Sequence, residues 1–101
     1  MTPNIEIDRL DGSCPVQATG KIDDHSAFYF RGRHEAWQFV AGPKELSTEE
    51  LVSVKLGFAS NDRVFVLEGD DDERLYLDYD HVRDVLQTYA QQYIEWMKER
   101  R

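Results

Sequence analysis

The chain has 101 residues, of which 41% are hydrophobic and 12% aromatic. That suits one domain with one modest core and excludes a fully disordered chain. Twelve Lys and Arg stand against twenty Asp and Glu, a formal net charge of -8; such a surface repels phosphate and disfavours direct nucleic-acid binding, while it favours docking on a basic protein.

Residues 1–13 are polar and broken by Pro3 and Gly12. They read as a flexible N-terminal arm, although Ile5-Glu6-Ile7 has the spacing of a short edge strand. Residues 14–101 read as a single α+β domain. Val16, Ala18 and Ile22 share one parity and Gln17, Thr19 and Lys21 the other, which is the alternation of a half-buried strand. Asp23-Asp24-His25-Ser26 is turn chemistry. Phe28 and Phe30 then alternate with Tyr29 and Arg31, and after a turn at Gly32–Glu35, Trp37 and Phe39 share a face of a third strand. The three segments predict an antiparallel meander that ends at Gly42-Pro43.

The next stretch supports two readings. Ser47 with Glu50 three positions on has the form of a capping box. Val52, Val54, Leu56 and Phe58 alternate like a strand. The favoured reading is one helical turn over Thr48–Leu51 leading into a strand. Ser60-Asn61-Asp62 reads as a hairpin loop, Val64–Leu67 as a strand, Gly69–Glu73 as a turn and Leu75–Leu77 as a further strand. Val82, Val85, Leu86, Tyr89, Tyr93, Trp96 and Met97 recur at three- and four-residue spacing, which predicts an amphipathic helix of about 20 residues. Asp80 is its expected N-cap, and Lys98, Arg100 and Arg101 suit its negative end. The expected fold is therefore an antiparallel meander of about five to six strands, with this long C-terminal helix packed on one face.

Acid density is the strongest functional signal. Asp62, Glu68, Asp70, Asp71, Asp72, Glu73, Asp78, Asp80 and Asp84 are opposed in that stretch only by Arg63, Arg74 and Arg83. Glu68, Asp70, Asp71, Asp72, Glu73, Asp78 and Asp80 are the expected partner-binding residues, unless these charges are simply solvated turn and cap residues. Tyr29, Arg31 and Trp96 are secondary candidates: the first two share the parity opposite the core, and the last ends a large aromatic stripe.

Signals for other chemistry are weak. Asp70-Asp71-Asp72 lacks the alternate spacing and central glycine of a calcium loop. His25 beside Asp23 and Asp24, and His81 beside Asp78 and Asp80, have no second His or Cys at ligand spacing. No metal or cofactor is expected. Cys14 is the single cysteine; it permits no internal disulfide, fits a reducing cytoplasm and reads as structural. A ligand or catalytic site pairing it with His25 or His34 is the alternative to a non-enzymatic binder. Met1–Asp11 lacks the pattern of a signal peptide, and no apolar run approaches the roughly 20 residues of a membrane span.

Cys14-Pro15-Val16-Gln17-Ala18, Gly20, Ile22-Asp23, Phe28-Tyr29-Phe30-Arg31 and Trp37 together resemble a pattern in small bacterial and phage proteins that carry no assigned activity. The resemblance implies a β-meander followed by a C-terminal helix, and a phage or prophage setting; it assigns no catalytic residue. The expected function is a small, cytoplasmic, acidic protein-binding module, monomeric or homodimeric. Its expected partner is a basic surface on a nucleic-acid-binding protein, and a phage-encoded, anti-CRISPR-like inhibitor is one form such a module takes. Neither enzymatic activity nor direct nucleic-acid or membrane binding is expected.

Overall fold

The computed structural model describes residues 3–12, 16–32, 36–57, 63–70 and 79–99. Five strands, β1 (Ile5–Asp11), β2 (Val16–Ile22), β3 (Ser26–Gly32), β4 (Ala36–Pro43) and β5 (Phe65–Asp70), form one sheet in the order β1-β2-β3-β4-β5. Every neighbouring pair is antiparallel. A short helix α1 (Thr48–Lys55) interrupts the path from β4 to β5, and the long helix α2 (Tyr79–Glu99) closes the fold. The architecture is the predicted α+β meander with a C-terminal helix. Leu75–Leu77, expected as a further strand, lies outside the described residues.

The alternation in β2, β3 and β4 lands as the sequence predicts. Val16, Ala18, Ile22, Phe28, Phe30, Phe39 and Ala41 are buried in one cluster with Val82, Leu86, Ala90 and Tyr93 of α2. Aromatic rings tie the layers together: Trp37 stacks on Tyr89 with centroids 4.4 Å apart, and Phe28 stacks on Phe39 at 5.8 Å. The Trp37 indole lies over Gly69, its cross-strand partner, where a Cβ would collide with the ring.

Three expectations are corrected. Residues expected to form a loose arm instead pair along β2 as an edge strand from Ile5 to Asp11. The register shifts between Ile7 and Arg9, so Asp8 is an extra residue, a β-bulge. The bulge changes parity by one and lets Ile5, Ile7 and Leu10 all pack against the core cluster. Secondly, the segment expected to become a strand after Leu51 is helical to Lys55. Its capping box is complete: Glu50 N–H donates to Ser47 Oγ and Ser47 N–H donates to Glu50 Oε1, both at 3.2 Å. Gly57, at φ +85°, receives the chain as it leaves the helix, a conformation that glycine adopts without strain. Thirdly, Asp80 is not the N-cap of α2, because the helix already includes Tyr79; Asp80 accepts from Arg83 at 2.9 Å within the first turn.

Helix α1 covers the sheet face opposite α2. Leu51 is buried with Val40 and Val64, and Ala27, Tyr29, Leu46, Val54 and Val66 pack around them. Ser47→Ala should remove the cap and lower stability by about 1 kcal/mol in denaturant unfolding. An unchanged midpoint would mean that packing of Leu51 alone holds the helix.

Candidate functional site

The two ends of the sheet differ in chemistry. At one end lie Asp11, Gly32, Trp37 and Asp70, brought together by the register of the five strands. The start of α2 joins this end, where Tyr79 OH donates to the Gly12 carbonyl at 2.7 Å. Glu68 and Asp70 are exposed on β5, an edge strand, and Glu68 accepts from Gln38 Nε2 at 3.2 Å. Asp80 is exposed and ion-paired with Arg83, and Asp11 is ion-paired with Arg9 at 2.6 Å. Pairs this exposed contribute little to stability. Asp71, Asp72, Glu73 and Asp78 lie outside the described residues.

Tyr29 and Arg31 lie on the face opposite the core, as their parity predicts, but they are not one open surface. Tyr29 is packed beside α1, with Lys55 Nζ 5.3 Å from its ring centre. Arg31 sits in register between Gln17 and Gln38 and its Nε is buried without a hydrogen-bond partner.

The opposite end of the sheet holds a cleft of about 460 Å³, lined by His25, Ser26, Pro43, Arg63, Tyr93, Trp96 and Met97. It forms where the β2–β3 turn meets the last turns of α2. Asp23 and Asp24 both have positive φ, at 51° and 63°, and the turn closes with His25 N–H donating to the Ile22 carbonyl. Asp23 Oδ1 accepts from the Asn4 N–H at 2.7 Å, which fixes the turn to the chain ahead of β1. His25 and Ser26 are thereby presented to α2. A hydrogen-bond chain runs from His25 Nδ1 to Ser26 Oγ and on to Tyr93 OH, each step 2.9 Å.

Ser26 is the one buried polar side chain among the described residues, and Tyr93 is also fully buried. Burial pushes the Tyr93 hydroxyl above its ordinary pKa, opposed by the hydrogen bond with Ser26 and by the positive charge of Arg63. The fold thus favours the neutral phenol. That contribution to stability is complete below the ordinary tyrosine value of about 10. It is lost as pH rises through the higher folded value. Tyr93→Phe should therefore remove one late-titrating phenol from an alkaline ultraviolet titration; an unaltered late phase would place the shift on another tyrosine.

Sequence reading gives Trp96 as a secondary partner-binding candidate; the residue lines the cleft and packs with Phe65 and Tyr93 at centroid distances of 5.2 and 6.1 Å. The same reading missed the polar chain, because Ser26 and Tyr93 are 67 residues apart. Ser26 reads as a turn residue and Tyr93 as a core stripe, so no local pattern joins them. His25 is turned onto Ser26, and among the described residues no three His, Cys, Asp or Glu side chains come together as metal ligands. Cys14 and His34 lie outside the described residues. No described helix is long and apolar enough to cross a membrane. Comparisons with protein-family models, curated proteins and solved structures give no match for this chain.

Proposed function

We propose that this protein is a small acidic binding module that docks on a basic protein surface through the end of the sheet carrying Glu68, Asp70 and Asp80. The observation that supports this reading is a convergence. The end of β5 and the first turn of α2 lie at the same end of the sheet. The sequence that joins them adds Asp71, Asp72, Glu73 and Asp78 against a single Arg74. Repulsion among these acids is relieved when a basic partner arrives, and the summed field speeds its encounter. Basic grooves of this kind hold nucleic acid, so the favoured partner is a nucleic-acid-handling protein whose groove the module occupies, which makes the module an inhibitor of that protein.

The reading predicts competition. Protein captured from a cell extract on the immobilised domain at low salt should elute when short duplex DNA or RNA is added, and should elute again at high salt. Capture that resists both polyanion and salt would contradict an electrostatic docking surface.

A further inference from the structure

The cleft lies at the opposite end of the sheet from Glu68 and Asp70. We propose that it binds a small aromatic carboxylate, with the ring against Trp96 and the carboxylate at the His25–Ser26–Tyr93 chain. Its volume, about 460 Å³, lies within the usual range for small-molecule sites. Its walls divide by chemistry. Pro43, Trp96 and Met97 supply an apolar slot, while Ser26, Tyr93, His25 and Arg63 supply polar groups.

The charge of the ligand follows from what lines the cleft. The chain has twenty acids against twelve Lys and Arg, yet the described lining residues include an arginine and a histidine and no carboxylate. In the adjoining turn Asp23 is engaged with the Asn4 N–H, and Asp24 is exposed. Arg63 lines the cleft together with Tyr93, and its charge acts on that hydroxyl.

The hydrogen-bond chain gives the second half of the argument. With neutral His25 the chain has two settings. If Tyr93 donates to Ser26 and Ser26 to Nδ1, the outward donor is the histidine Nε2–H. If Nδ1–H donates to Ser26 and Ser26 to Tyr93, the outward donor is the tyrosine O–H. Either setting turns one N–H or O–H donor outward, and a carboxylate oxygen accepts from it. A cation or a pure hydrogen-bond donor finds no carboxylate among the described lining residues to receive it. The requirement for a ring comes from Trp96, whose neighbours Phe65 and Tyr93 brace it as a flat wall.

The test uses 1-naphthoate and its neutral counterpart 1-naphthamide, titrated into the full chain and followed by amide and indole NMR signals. Naphthoate should shift the signals of Ser26, Trp96 and Met97 saturably, and naphthamide should bind about tenfold more weakly or worse. His25→Gln combined with Arg63→Gln, both at exposed positions, should cost naphthoate a similar factor without altering the fold. Tyr93→Phe should weaken it too. Glu68→Lys with Asp70→Lys should leave naphthoate binding intact, which separates this site from the acidic end. The inference is overturned by any of three results: no saturable shift up to about 10 mM, naphthamide binding as well as naphthoate, or saturable shifts confined to residues outside the cleft.

Discussion

Leu86→Ala is expected to lower the unfolding free energy by about 2–5 kcal/mol, the range for truncating a large buried aliphatic side chain. Leu86 is fully buried in the middle of the face that α2 lays on the sheet, within the cluster that also holds Val82, Ala90 and Tyr93. A two-layer core of this size has few other residues to close the hole, and a domain of this length typically has only about 5–15 kcal/mol in total. Denaturant unfolding followed by far-ultraviolet circular dichroism measures the loss directly. A shift below about 0.5 kcal/mol would mean that α2 does not hold the sheet.

Gly20→Ala should be comparably damaging for a different reason. Gly20 lies on β2 opposite Ile7, beside the bulge, and a Cβ there would run into the backbone carbonyl of Glu6 and the ring of Phe28. A backbone oxygen cannot rotate away as a side chain can, so β1 would have to move off the sheet. The expected loss is about 3 kcal/mol or more. Amide hydrogen exchange should show β1 deprotected before the rest of the sheet. Full protection of Ile7 and Leu10 in the variant would show that the two strands are not held as closely as the glycine suggests.

What the sequence made legible was what simple periodicity carries. Val16 to Ile22, Phe28 to Arg31 and Trp37 to Ala41 alternate cleanly, and Val82 to Met97 repeat at helical spacing. Each found its place because one face is buried and the other is not. Strand β1 escaped because its apolar residues, Ile5, Ile7 and Leu10, break period two at the Asp8 bulge. Helix α1 was obscured by the alternation of Val52, Val54 and Leu56. Of its residues only Leu51 is fully buried, and Leu56, just beyond its last turn, is 55% exposed. The deciding signals were at its ends: the Ser47–Glu50 box, and Gly57 in a conformation that favours glycine.

The candidate sites divide in the same way. Charge is a property of composition, so the acidic end was visible at once. The cleft depends on a turn and a helix that meet across 67 residues, and no spacing rule reaches that far. Under the two proposals the ends of the sheet have separate tasks, with α2 spanning between them.

The central claim is that position, and not net charge alone, makes the acidic end a docking surface. It is tested by two double reversals that change the net charge equally: Glu68→Lys with Asp70→Lys, and Glu95→Lys with Glu99→Lys near the end of α2, all four residues being exposed. Affinity of each variant for the captured basic partner is measured at about 50 and 500 mM salt, on either side of the roughly 8 Å Debye length near physiological salt. The account predicts that the first pair weakens low-salt binding by about tenfold or more, while thermal stability stays near wild type. The second pair should reduce it only slightly. Equal effects from the two pairs, or binding indifferent to salt and to both, would contradict it.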